Sequence, residues 1–178
     1  MPEGYQSILT KDQWVGLLDF VKAMDAKLLV SVANCEGLHA AHEPWNPSQA
    51  KVLFDFSRDY GVPINAAEFM NEPNMLATSG APAGYTPADY VRDQDIFNQW
   101  AKESYPDVLI VGPCSTGDEE SEESKQGGGI GAIIECFPTR ELMNGAQVPL
   151  DVYSYHCYNG ITSVLRDAGP VLGGRSAH

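Results

Sequence analysis

Positive charge is scarce in this chain. Its 11 Lys and Arg stand against 24 Asp and Glu, a formal net charge of −13 at pH 7, which argues against nucleic acid or an anionic membrane surface as a partner. The same charge suits a strongly sulfated polysaccharide poorly. Cysteine is sparse too. Cys35, Cys114, Cys136 and Cys157 include no close pair, which excludes a zinc ribbon or a Cys-x-x-Cys redox motif. They read as reduced thiols in the core or at its rim; in a secreted protein, Cys114 and Cys157, at corresponding ends of neighbouring strands, would be the pair to bridge. No apolar run is long enough to span a bilayer. The opening Met1-Pro2-Glu3-Gly4-Tyr5 has neither the basic nor the apolar region of a signal peptide. No sequence repeat or second domain is visible, and no glutamate follows Glu141.

What is present alternates between helical and extended periodicity. Trp14, Leu17, Leu18, Val21 and Met24 recur at helical spacing behind Thr10, with Gln13 three residues on, which predicts a capped amphipathic helix over 10–24. An apolar run over 28–33 predicts a strand ending at Asn34-Cys35-Glu36-Gly37. A second helix is predicted from about Pro47, in the first turn, to Tyr60, with Gly61 as its stop. Thr86-Pro87 opens a third, whose apolar face carries Tyr90, Ile96, Phe97 and Trp100. Val108 to Val111 predicts a strand turned by Gly112-Pro113; a helical region follows over about 130–143, interrupted by Pro138, and a strand over 150–156. Four strands, each preceded by a helix, predict an α/β fold with a parallel sheet.

The stretch Ile64-Asn65-Ala66-Ala67-Glu68-Phe69-Met70-Asn71-Glu72-Pro73-Asn74 organises the rest. A small, apolar run suited to burial on both faces ends in two amides, a carboxylate and a proline. Pro73 lacks an N–H and biases its neighbour toward extended backbone, so Glu72 is expected at the carboxyl edge of a strand, where α/β folds bind ligands. Glu68, four residues earlier, is expected on the same side and deeper, as a paired structural carboxylate.

The form Glu68-Phe69-Met70-Asn71-Glu72-Pro73-Asn74, preceded by Gly61 and Ile64, resembles the acid/base strand of glycoside hydrolase family 79, the heparanase and β-glucuronidase family, within the retaining (β/α)8 glycosidase clan. Trp45-Asn46 with Ser48, Ala50, Leu53 and Asp55, then Gly112-Pro113 and Tyr155-His156-Cys157-Tyr158-Asn159-Gly160, extend the resemblance over most of the chain. It implies a retaining hydrolase of β-glucuronides or related β-linked sugars, acting on an oligo- or polysaccharide. Glu72 is then the catalytic acid/base, its proton affinity raised by desolvation, and Asn71 binds the sugar hydroxyl beside the reacting carbon. His156 and Tyr158 orient and bind substrate beside the nucleophile. No cofactor and no metal are implied, and a secreted location is.

A complete barrel of this type takes roughly 250 residues, against 178 here. By the resemblance, residues 1–178 are one partial (β/α)8 TIM barrel comprising strands three to six, without the first two strands, the last two, or the C-terminal β-sandwich. The nucleophile belongs on the seventh strand; after Glu141 the remaining carboxylates are Asp151 and Asp167, and Asp151 begins a strand at the end opposite Glu72. The isolated chain is therefore expected to be inactive and to self-associate through exposed barrel edges. Two alternatives stand: another family of the clan acting on neutral β-glycosides, which suits the acidity better, and a non-catalytic carbohydrate-binding remnant.

Other features carry plainer readings. Tyr85 is a cleft wall or part of a solvated loop. The charge run and glycines over 118–129 read as a solvated segment. Glu36, His39 and His42 can be drawn as metal ligands, but no helix fixes their spacing and they are read as polar loop residues.

Overall fold

Residues 3–5, 7–76, 78–116 and 136–156 are described by the computed structural model, and within them the four expected strands form. Helix α1, Lys11–Ala23, begins with a reciprocal cap. The Gln13 N–H donates to the Thr10 hydroxyl at 3.2 Å, and the Thr10 N–H to the Gln13 side chain at 2.9 Å. Trp14, Leu18 and Val21 bury their side chains; Leu17 and Met24, expected on the same face, stay exposed. The buried stripe is narrow because α1 docks on α2, Ser48–Asp59, along the line where Trp14 Nε1 donates to Ser57 Oγ at 2.9 Å. The Ser57 hydroxyl passes the bond on to the Leu53 carbonyl at 2.7 Å. Pro47 sits one place earlier than expected, as the cap of α2, and Gly61, at φ 85°, turns the chain out of it.

Strands β1 (Leu29–Val32), β2 (Ala66–Phe69), β3 (Leu109–Thr116) and β4 (Val152–His156) form one all-parallel sheet in the order β1-β2-β3-β4. Helix α3, Pro87–Ser104, capped reciprocally by Thr86 and Asp89, connects β2 to β3, and the short α4, Thr139–Met143, precedes β4. The fold is thus mixed α/β with an open parallel sheet among the described residues.

The two faces of the sheet differ. Val30, Ala67 and Ile110 lie in one row and, with Val32 and Phe69, face the helices. There Phe69 stacks on Phe97 with ring centroids 5.7 Å apart and meets Trp45 edge-on at 5.5 Å, so aromatic rings fill most of the helix–sheet layer. The opposite face carries the row Ser31, Glu68, Val111 and Val152. Leu29 and Leu109 are each half exposed on that side.

Two boundaries differ from the sequence reading. β3 does not turn at Gly112-Pro113 but continues to Thr116, because β4 supplies a partner from Val111 to Thr116. The ladder runs Pro113↔Ser154 and then Ser115↔Tyr155, leaving Cys114 as a bulge at φ 58°. The helix expected over 130–143 is represented by α4 alone, since residues 117–135, including the charge run, lie outside the described residues.

Among the described residues β1 and β4 are sheet edges, and β4 exposes Val152, Tyr153 and Tyr155. Unpaired backbone groups beside apolar side chains favour pairing with another chain. The purified 178-residue chain is expected to scatter light as more than a monomer and to bind a hydrophobic dye. A dye-silent monomer would contradict this.

Candidate active site

β2 ends earlier than the sequence implies. Met70 donates its N–H to the Val32 carbonyl at 3.1 Å and then takes a left-handed conformation, φ 65°, that bends the chain away from the sheet. Asn71 is exposed. Glu72 is not extended, as Pro73 alone would suggest, but left-handed at φ 47°, ψ 55°, leading into a 3₁₀ turn over Pro73–Met75 that the Met75 N–H closes on the Glu72 carbonyl at 3.0 Å. Left-handed backbone costs a non-glycine residue about 1–3 kcal/mol and persists only where the surroundings impose it.

Asn74 imposes it. The side chain is buried, donates Nδ2 to the Thr116 carbonyl at 2.7 Å and accepts the Thr116 N–H at 3.0 Å, so the turn is pinned to the last residue of β3. Its own carbonyl accepts the Phe137 N–H at 2.8 Å. Glu72 is thereby fixed beyond the carboxyl ends of β2 and β3.

His156, the last residue of β4, reaches across to it. His156 Nδ1 and Glu72 Oε1 share a hydrogen bond of 2.9 Å, with the two side chains 29% and 14% exposed. The contact joins residues two strands apart, and solvent still reaches the pair. Of the four site residues expected from sequence, Glu72 and His156 touch and Asn71 lies beside Glu72 in the chain; Tyr158 falls outside the described residues.

Below this pair the open face carries a second polar group. Glu68, 6% exposed, accepts hydrogen bonds from the Ser31 hydroxyl and the Cys114 thiol, which confirms it as a buried, paired carboxylate. The bulge aims Cys114 at Glu68, and Cys114 Sγ also lies 2.8 Å from Ser154 Oγ. Cys114 is a free thiol, and Cys157 lies outside the described residues. Burial first, then the hydrogen bond to Glu68, push the Cys114 thiol up to about 12. Alkylation follows the thiolate fraction, so at neutral pH Cys114 should react at least ~1000-fold more slowly than a thiol of ordinary pKa near 8.5. Peptide mass spectrometry after brief iodoacetamide treatment should find Cys35 and Cys136, both partly exposed, labelled before Cys114. Equal labelling would contradict the buried position.

The loops around the site are held by Asp93, a fully buried carboxylate on α3. It accepts from the Trp45 N–H at 3.0 Å, the Tyr85 hydroxyl at 2.8 Å, and Arg92 Nε and Nη2 at 2.7 and 2.8 Å. Tyr85 is therefore a buried anchor rather than a cleft wall; burial, with Asp93 beside it, holds its hydroxyl protonated above the ordinary range. His39 bonds Asn34 Oδ1 through Nε2 at 2.7 Å, and the Asn34 amide meets Met70 Sδ at 3.5 Å. His39 Nε2 also lies 3.8 Å from Asp93 Oδ2, so the network runs from α3 to the residue that bends the chain toward Glu72. His42 instead lies 3.7 Å from Asp89, and Glu36 accepts the Ala83 N–H at 3.2 Å. These contacts divide Glu36, His39 and His42 among separate loop anchors.

Chemically, the arrangement offers one accessible carboxyl group with an imidazole partner at the carboxyl end of a parallel sheet, suited to giving and taking a proton. Sequence reasoning missed Asn74 as the residue that fixes the turn, and Asp93 as the loop anchor. An Asn directly after the Glu-Pro pair was a turn signal for the first; an acid three residues after Tyr90 and four before Phe97, on the apolar stripe of α3, was the signal for the second. Among the described residues no helix is long and apolar enough to cross a membrane. No protein-family model matches the chain, and no curated protein matches it.

Proposed function

We propose that this chain carries the acid/base half of a retaining β-glycosidase site, in a partial (β/α)8 barrel resembling glycoside hydrolase family 79, with its strands as the third to sixth of the barrel. The observation that carries the reading is Glu72 itself. It is a partly shielded carboxylate beyond the carboxyl ends of the strands, held in a left-handed turn and hydrogen-bonded to His156.

In this reading Glu72 protonates the glycosidic oxygen as the bond to the sugar breaks, because the departing alkoxide is otherwise too basic to leave. As a carboxylate it then removes a proton from the water that releases the sugar from the nucleophile. His156 acts on Glu72 directly, orienting the carboxyl through their shared hydrogen bond, which refines the sequence expectation of a role beside the nucleophile. Asn71 holds the sugar hydroxyl next to the reacting carbon. The nucleophile, needed about 5–5.5 Å from the acid, is assigned by the resemblance to a further strand, and the 178-residue chain alone is expected to hydrolyse no aryl glycoside.

A neutral sugar is the second reading, favoured by the net charge of −13, which repels an anionic substrate. Hydrolysis of an aryl β-glucuronide and an aryl β-glucoside by a full-barrel protein containing this chain separates the two. Preference for the glucuronide supports the family 79-like reading; preference for the glucoside supports the neutral one. Sugar binding without hydrolysis of either would leave a carbohydrate-binding role and sink the catalytic one.

A further inference from the structure

We propose that Glu68, Cys114 and His156 form a binding site for a thiophilic divalent cation of the zinc class. The three residues come from β2, the β3 bulge and the end of β4, and each offers a ligand atom within 4.8 Å of the other two. Glu68 and Cys114 are buried and His156 is partly exposed, which gives the group a closed floor and an open side. Sulfur, imidazole nitrogen and carboxylate oxygen are the donor set that zinc takes, at about 2.3, 2.0–2.1 and 2.0–2.2 Å, so ligand atoms around it stand roughly 3.3–3.6 Å apart. Cys114 and Glu68 already touch. Closing the remaining gap asks for side-chain adjustment rather than movement of the sheet.

Each candidate ligand also has an outer partner. Ser31 donates to Glu68, Ser154 Oγ lies 2.8 Å from Cys114 Sγ, and Glu72 Oε1 lies 2.9 Å from His156 Nδ1. Such partners orient ligands and raise their affinity for a metal. Three ligands leave a fourth position for water, the arrangement of an open zinc site. Binding balances simply: the bond from sulfur to the cation replaces the S–H bond of Cys114, one proton goes to solvent, and no electron is transferred. The carboxylate and the thiolate formed on binding together match the cation's charge in a buried setting. The site stands whether or not the chain acts on sugars.

Cobalt(II) is the probe, because a thiolate ligand gives it a near-ultraviolet charge-transfer absorption. Titration of the chelator-treated chain should produce that band, zinc should abolish it by displacement, and C114S should lack it. H156A should weaken cobalt binding by more than the ~10–100-fold typical of outer-partner changes. Because C114S can lose its fold, a second variant carries C35S, C136S and C157S together and should keep the band. No band in the unaltered chain, a band that survives C114S in a folded protein, or a band lost in the triple variant would each overturn the proposal.

Discussion

Replacing Glu72 by glutamine in a full-barrel protein containing this chain is expected to slow glycosylation by substrates with poor leaving groups by about 10²–10⁴-fold, the usual worth of a positioned general acid. Glutamine keeps the size of the side chain and its reach to His156 but cannot deliver the proton. Aryl glycosides with activated leaving groups depart as stable anions and need no proton, so their glycosylation rate should be nearly unchanged. The dependence of rate on leaving-group pKa is the diagnostic, measured by pre-steady-state release of the phenol. Equal loss on both substrate types would mean that Glu72 holds the site together rather than donating a proton.

Asp93→Ala is expected to lower the unfolding free energy by about 3–5 kcal/mol, the cost of breaking a buried ion pair from one side. Asp93 is wholly buried and takes four hydrogen bonds, from Trp45, Tyr85 and twice from Arg92. Removing it leaves the Tyr85 hydroxyl and the Trp45 N–H buried without that acceptor and the Arg92 guanidinium without its closest anion. Arg92 also ties down the Ala41 and Glu43 carbonyls at 3.1 and 2.9 Å, so the loop between β1 and α2 should loosen with it. Urea unfolding followed by tryptophan fluorescence measures the loss. A change under about 1 kcal/mol, the range of surface pairs, would show that the network contributes little.

The parallel sheet was legible because its signals are local. Apolar runs at Leu28–Ala33 and Val108–Val111 and caps at Thr10 and Thr86 declare their elements within a few residues, and the structure forms them there. The site was legible in part. Glu72 stood out by its motif, but its left-handed backbone did not, because the conformation is imposed from 42 residues away, where Asn74 bonds both backbone groups of Thr116. The extension of β3 past Gly112-Pro113 was hidden for a similar reason: proline reads as a strand end, and only pairing with β4 reveals the continuation. The burial of Tyr85 and the separation of His39 from His42 depend on Asp93 and Asp89, whose partners lie in distant loops, although spacing sets Asp93 on the stripe of Tyr90 and Phe97. Spacing can mark such an acid as buried, but the partners it holds leave no trace in composition or spacing.

Azide trapping tests the assignment of Glu72 most directly. In a retaining enzyme whose acid/base has become alanine, an activated aryl β-glycoside still forms the glycosyl-enzyme, but water cannot be activated to release it. Azide needs no base and attacks the same carbon. With Glu72→Ala in a full-barrel protein containing this chain, sodium azide should restore turnover and yield the β-glycosyl azide, identified by nuclear magnetic resonance. No acceleration and no glycosyl azide, from a folded variant that still binds substrate, would contradict Glu72 as the acid/base of a retaining glycosidase.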